Sequence, residues 1–93
     1  MTEKTKKQVE KAAALLKSEG CREVYLFGSV AEGSSNENSD IDIAIKGCPP
    51  GRFFELLGRL MLELDSQVDL VNLDSNDAFS KHLLTNGQLL HVA

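Results

Sequence analysis

Asp40 and Asp42 are separated by a single isoleucine, and that spacing is the first place where this chain could do chemistry. In extended backbone, side chains alternate between faces. Within Ser39-Asp40-Ile41-Asp42-Ile43-Ala44-Ile45 the two aspartates and Ala44 therefore share one face, and the three isoleucines share the other. The isoleucines suit a core. The carboxylates stand side by side, with the small Ala44 leaving room beyond them. At about 5 Å and an effective dielectric near 20, two such charges repel by roughly 3 kcal/mol. A hard divalent cation held by carboxylate oxygens, Mg²⁺ above all, offsets that cost and bridges to phosphates. The plainer alternative is an exposed edge strand whose aspartates are simply solvated.

What precedes the pair favours the cation. Glu23-Val24-Tyr25-Leu26-Phe27 is β-branched and aromatic, as strands are. Gly28 then permits a sharp turn, and Ser29 sits where a short helix would start. A helix start offers unpaired N–H groups and partial positive charge, which suit a phosphate. Gly33 follows, then a polar loop, Ser34 to Asn38, and Ser39, whose hydroxyl suits a local backbone bond that orients Asp40. A third carboxylate, Asp69, lies in Val68-Asp69-Leu70-Val71 and points away from its apolar neighbours.

Gly28-Ser29, Gly33 and Ser39-Asp40-x-Asp42, followed by Asp69 in a later strand, resemble the signature of the polymerase-beta-like nucleotidyltransferase superfamily, in particular its shortest members, the minimal nucleotidyltransferases. The resemblance covers nearly the whole chain. It implies an α/β nucleotidyltransferase fold, with a small mixed twisted sheet and helices packed mainly on one side. It also implies that Gly28, Ser29, Gly33 and Ser39 serve the nucleotide. Asp40, Asp42 and Asp69 would bind two Mg²⁺ ions, and Asp69 would help activate the attacking hydroxyl. Glu32 departs from the pattern, because the family often has a basic residue there.

Composition sets the frame. Ninety-three residues suit one domain, spanning 1–93, with a core large enough to fold alone. A net charge of −4 argues against non-specific nucleic-acid binding, which depends on neutralising phosphates. No apolar run approaches the length of a membrane span and no signal-peptide pattern is present, so a cytoplasmic protein without membrane attachment is expected. Two cysteines without C-x-x-C spacing make neither a zinc site nor a disulfide framework.

Along the chain, residues 3–19 read as a helix, with Thr5 and Gln8 as a capping box, Gly20 as the stop, and Val9, Ala12, Ala13 and Leu16 as the buried stripe. Lys4, Lys6, Lys7 and Lys11 read as a solvated face or, alternatively, as a basic rim that meets an acidic partner. Strands follow at 22–28 and 40–46. Gly47, Pro49, Pro50 and Gly51 break the chain. Residues 52–64 read as a helix with Phe53, Leu56, Leu57, Leu60 and Leu64 inside, and with Glu55 and Arg59 as an i,i+4 pair. Phe54, Met61 and Leu62 do not fit on that face. They are either buried under neighbouring elements or form an exposed patch for another chain. A strand from Gln67 to Asn72, a helix over 76–86 capped by Asp74 or Ser75, and a short closing strand of Leu89, Leu90 and Val92 complete the chain. His82 and His91 lack metal-ligand spacing and receive no catalytic role.

The function expected from the resemblance is transfer of a nucleoside monophosphate from an NTP, ATP foremost, to an acceptor hydroxyl. By the resemblance, minimal members are often paired with a HEPN-domain protein as the antitoxin of a toxin–antitoxin pair, and some modify a tyrosine of that partner with AMP. Two other classes stay open. One is a catalytically idle antitoxin that binds its partner by contact alone. The other is a small-molecule nucleotidyltransferase whose pocket a homodimer completes. The loop of about 11 residues between the first two strands is too short for a parallel crossover, so they are expected to run antiparallel. Cys21 and Cys48 then come within reach of each other. They are either unpaired thiols in a reducing cytoplasm or a bridge, as in proteins of hyperthermophiles.

Overall fold

A computed structural model of the chain describes residues 2–33, 40–85, 87 and 89–93, without the side chains of Ser29 and Glu32. Its elements are α1 (Glu3–Ser18), β1 (Glu23–Phe27), α2 (Gly28–Glu32), β2 (Ile41–Lys46), α3 (Phe53–Glu63), β3 (Val68–Asn72), α4 (Ala78–Thr85) and β4 (Leu90–His91). The strands form one mixed sheet in the order β3-β2-β1-β4. β1 runs antiparallel to both β2 and β4, as the short loop required, and α3 makes the crossover that lets β3 run parallel to β2. The α/β architecture with a small mixed sheet is the one expected.

Period-2 alternation assigns the two faces of the sheet. Val24, Leu26, Ile41, Ile43, Ile45 and Leu70 meet Val9, Ala12 and Leu16 of α1 and Leu56 and Leu60 of α3 in the main core. The opposite face carries Tyr25, Phe27, Asp42, Ala44, Asp69 and Val71. There the shorter α4 packs Leu83 against Ala44 and Leu73. Two long helices on one face and a short one on the other match helices mainly on one side. Ala44 departs from its expectation. It is fully buried under α4 and leaves no open space beyond the carboxylates.

Helix ends depart from the sequence reading where several capping residue types lie close together. Thr2, not Thr5, caps α1, and its Oγ1 accepts from the Thr5 N–H at 3.1 Å. Thr5 is buried inside the helix and accepts from the Thr2 hydroxyl. Gln8 instead accepts from the Asp65 N–H at 2.9 Å, which ties α1 to the end of α3. Gly20, at φ +101°, ends α1 as expected. α4 is capped by Asp77, whose Oδ1 accepts from the Ser80 N–H at 2.8 Å. That bond, with the Ser75 hydroxyl, holds the Asp77 carboxyl below its ordinary range. Of the two expected caps, Ser75 donates to Asp77, and Asp74 accepts from the Gly47 N–H at 2.7 Å and so joins the loops after β2 and β3.

Ion pairs tie α1 to α3. Glu19, at the end of α1, pairs with Arg52 at 2.8 Å and with Arg59. Glu55 pairs with Arg52 rather than Arg59, because Arg59 is engaged by Glu19. On the outer side of α3, Phe54, Met61 and Leu62 are 82%, 63% and 90% exposed, which favours the exposed-patch alternative. No helix among the described residues is long and apolar enough to cross a membrane.

Cys21 and Cys48 are bridged across the β1–β2 pair, with Cα atoms 3.9 Å apart. The bridge closes a loop across a sequence separation of 27, so reducing it is expected to lower stability by about 3 kcal/mol. Urea unfolding with and without reductant measures this. Coincident midpoints would show that the closure adds nothing.

Candidate active site

The site begins where β1 turns into α2 with no intervening loop. Gly28 makes that turn at φ +69°, a conformation that disfavours any side chain. A Cβ on Gly28 would also land on Asp42, 3.2 Å from Cγ and closer still to Oδ2. The missing side chain is therefore what lets the Asp42 carboxyl lie against the turn. Val30, only 2% exposed, anchors α2 in the main core. Gly33, at φ +79°, closes the helical turn with its N–H donating to the Val30 carbonyl at 3.3 Å. Ser29 lies in α2, but its side chain is outside the described residues, as is the whole of Ser39. The side chain of Glu32 is outside them too.

Strand register sets the carboxylates. Phe27 of β1 pairs with Asp42 of β2, and Asp42 pairs with Asp69 of β3, so the three form one row across the sheet. The Asp42 carboxyl is pushed up to about 6. Burial contributes most, followed by a hydrogen bond with Asp69, the charge of Asp69 and finally the charge of Asp40. The sequence reading set Asp40 as the neighbour that mattered. Residues two apart on a strand are separated by roughly 6.5 Å, whereas neighbouring strands lie only about 4.8 Å apart. The cross-strand partner wins for that reason.

Asp40 and Asp69 are both exposed, and Asp40 stands just before β2. Among the described residues no three carboxylate, imidazole or thiol groups already stand close enough to share one ion. Asp42 and Asp69 form a closed pair, and Asp40 flanks it. This donor set fits a hard cation. It offers only carboxylate oxygens, and burial beside Asp69 holds the Asp42 pKa up, a cost that a cation's charge would offset.

One neighbour of the row had no signal in the sequence. Phe79 of α4 rests edge-on against Phe27, with ring centroids 5.9 Å apart, and is half exposed. Its place on a short apolar helix resembled that of any packing residue. His91 packs at a tilt against Tyr25, with ring centroids 5.0 Å apart, and His82 is exposed on α4.

Comparison with known proteins follows the same lines. Residues 10–92 match the family described as Polymerase beta, Nucleotidyltransferase. The protein adenylyltransferase MntA of Shewanella oneidensis is 40% identical over 72 residues, covering 72% of this chain and 51% of that protein. The chain thus spans about half the length of this relative. Among solved structures, a toxin–antitoxin with AMP-PNP aligns at TM-score 0.65 and 32% identity, over 95% of this chain and 72% of the other. A complex of the tri-AMPylated Shewanella oneidensis HEPN toxin with its MNT antitoxin aligns at TM-score 0.64 and 30% identity, over 90% of this chain and 69% of the other. With the Gly28 turn, the β1–β2–β3 register and the match over residues 10–92 in agreement, the chain belongs to the polymerase beta nucleotidyltransferase family.

Proposed function

We propose that this chain transfers AMP from ATP to a tyrosine hydroxyl of a HEPN-domain partner, releasing pyrophosphate, and that it acts in this way as an antitoxin. The observation that carries the reading is the Asp42–Asp69 pair set against the Gly28 turn, in a chain 40% identical to a protein adenylyltransferase. Asp40, Asp42 and Asp69 are the residues that would hold Mg²⁺, two ions with nucleotide in place. Held by these carboxylates, the metal would supply charge neutralisation of the triphosphate and a lowered pKa for the acceptor hydroxyl. The amides after Gly28, with Ser29 and Gly33, bind the phosphates. Ser39 orients Asp40. Asp69, exposed on the outer strand β3, faces the acceptor and receives its proton. Displacement at the α-phosphorus then rests on positioning and charge neutralisation rather than on a covalent intermediate. ATP and Mg²⁺ as reactants imply a cytoplasmic setting.

A second reading, the idle antitoxin, has one observation in its favour. The apolar stripe of Phe54, Met61 and Leu62 on α3 offers a binding surface that does not involve the carboxylates. The two readings separate in one experiment. With α-labelled ATP and Mg²⁺, a co-expressed HEPN partner is expected to take up label from the wild type. Asp40→Ala/Asp42→Ala is expected to bind the partner without labelling it and to lose protection of cells. Full protection by the double variant would support the idle module instead.

A further inference from the structure

The geometry points to Phe79 as the residue on which the base of the bound nucleotide stacks. This rests on the nucleotide-transfer reading above and adds to it the part of the site that recognises the nucleoside. The row across the sheet runs Phe27, Asp42, Asp69. Phosphates held at the Gly28 turn lie on the β1 side of Asp42, and an acceptor meeting Asp69 lies on the β3 side. In-line displacement keeps the leaving and attacking oxygens on opposite sides of the α-phosphorus. The nucleoside must therefore depart in a third direction. Along the strands, two residues past Asp42, the face is closed by α4 over Ala44. On that side the site is bounded by the α4 wall, and the α4 side chain that touches the row is Phe79, through Phe27.

Phe79 is the second residue of that wall. The backbone on either side of it is fixed. Asp77 caps the helix, and the fully buried Ser80 donates its hydroxyl to the Asn72 carbonyl at 2.9 Å. Phe27, which directly precedes the Gly28 turn, supports one edge of the ring, and half of the ring remains open to solvent. A rigidly held aromatic surface beside a phosphate and carboxylate site suits a flat heterocycle, because stacking needs a π-face and little else.

Calorimetry of the full chain with Mg²⁺ and two probes tests this. One probe is a non-hydrolysable ATP analogue, and the other is inorganic triphosphate, which lacks a base. Phe79→Ala is expected to weaken the ATP analogue by roughly five- to a hundredfold, to leave triphosphate unchanged, and to be rescued by Phe79→Tyr. Equal loss of both probes would assign Phe79 a structural role and overturn the inference. Wild-type affinity of Phe79→Ala for the ATP analogue, with Asp42→Asn losing both probes, would overturn the inference alone. A wild type that binds neither probe would overturn the nucleotide-site reading and the inference with it.

Discussion

Asp42→Asn is expected to abolish nucleotidyl transfer and, at the same time, to make the folded chain more stable. The loss of transfer, on the order of a thousandfold or more, follows from removing the central ligand of the proposed cation site. The gain in stability comes from the same residue. In the folded chain the Asp42 carboxyl is pushed up to about 6 by burial and by Asp69, from an ordinary value of 3.8. Between these two values the folded state binds more protons than the unfolded state, so stability falls as pH rises through the window. The cost is absent below about pH 4 and fully felt above about pH 6. Because the group is partly exposed, solvent screening reduces it to about 1 kcal/mol. An asparagine amide carries no charge at any pH and can donate to the Asp69 carboxylate. The variant should therefore melt roughly 4–8 °C higher at pH 7.5, and the advantage should vanish near pH 4. An equal difference at both pH values would contradict the proposed origin of the effect.

Gly28→Ala is the second large effect. The new Cβ meets two obstacles. A left-handed backbone costs a non-glycine residue about 1–2 kcal/mol, and the methyl group would overlap the Asp42 carboxyl. Overpacking of that kind adds about 1–3 kcal/mol, so a total near 4 kcal/mol is expected, together with loss of transfer as Asp42 is displaced. The steric share can be separated from the backbone share. In Gly28→Ala/Asp42→Ala the clash is gone, and only the backbone term should remain. Chemical denaturation of the two single variants and the double variant should show a coupling of more than about 1 kcal/mol. Additive values would place the clash elsewhere.

Much of this site was legible because its signals are local. The alternation in Ile41–Ile45 assigns the faces of β2, Gly28 marks the turn, and the short loop makes β1 and β2 antiparallel. Val68 and Leu70 turn Asp69 to the opposite face in the same way. What was not legible depends on register and packing between distant elements. Asp69 outweighs Asp40 because β2 and β3 pair at that residue, and no spacing within either strand encodes this. Ala44 is covered because α4 returns across the sheet, a placement set by Leu73 and Leu83. Glu19 captures Arg59 from a helix more than thirty residues away, which removes the local partner that Glu55 was expected to have. The caps were mistaken for a different reason. Asp74, Ser75 and Asp77 are all competent capping residues, but Asp74 is engaged by the Gly47 N–H, and Ser80, which Asp77 caps, is anchored to the Asn72 carbonyl.

The central claim is that Asp42 and Asp69 are held together, at a cost in the free chain, to bind a cation and the nucleotide it accompanies. Its most direct measurement is calorimetric titration of a non-hydrolysable ATP analogue into the wild type and Asp42→Asn, each with and without Mg²⁺, at a pH above 6. Mg²⁺-dependent binding to the wild type, and no such binding to the variant, is the result predicted. Equal affinity of the two proteins, or binding indifferent to Mg²⁺, would contradict it.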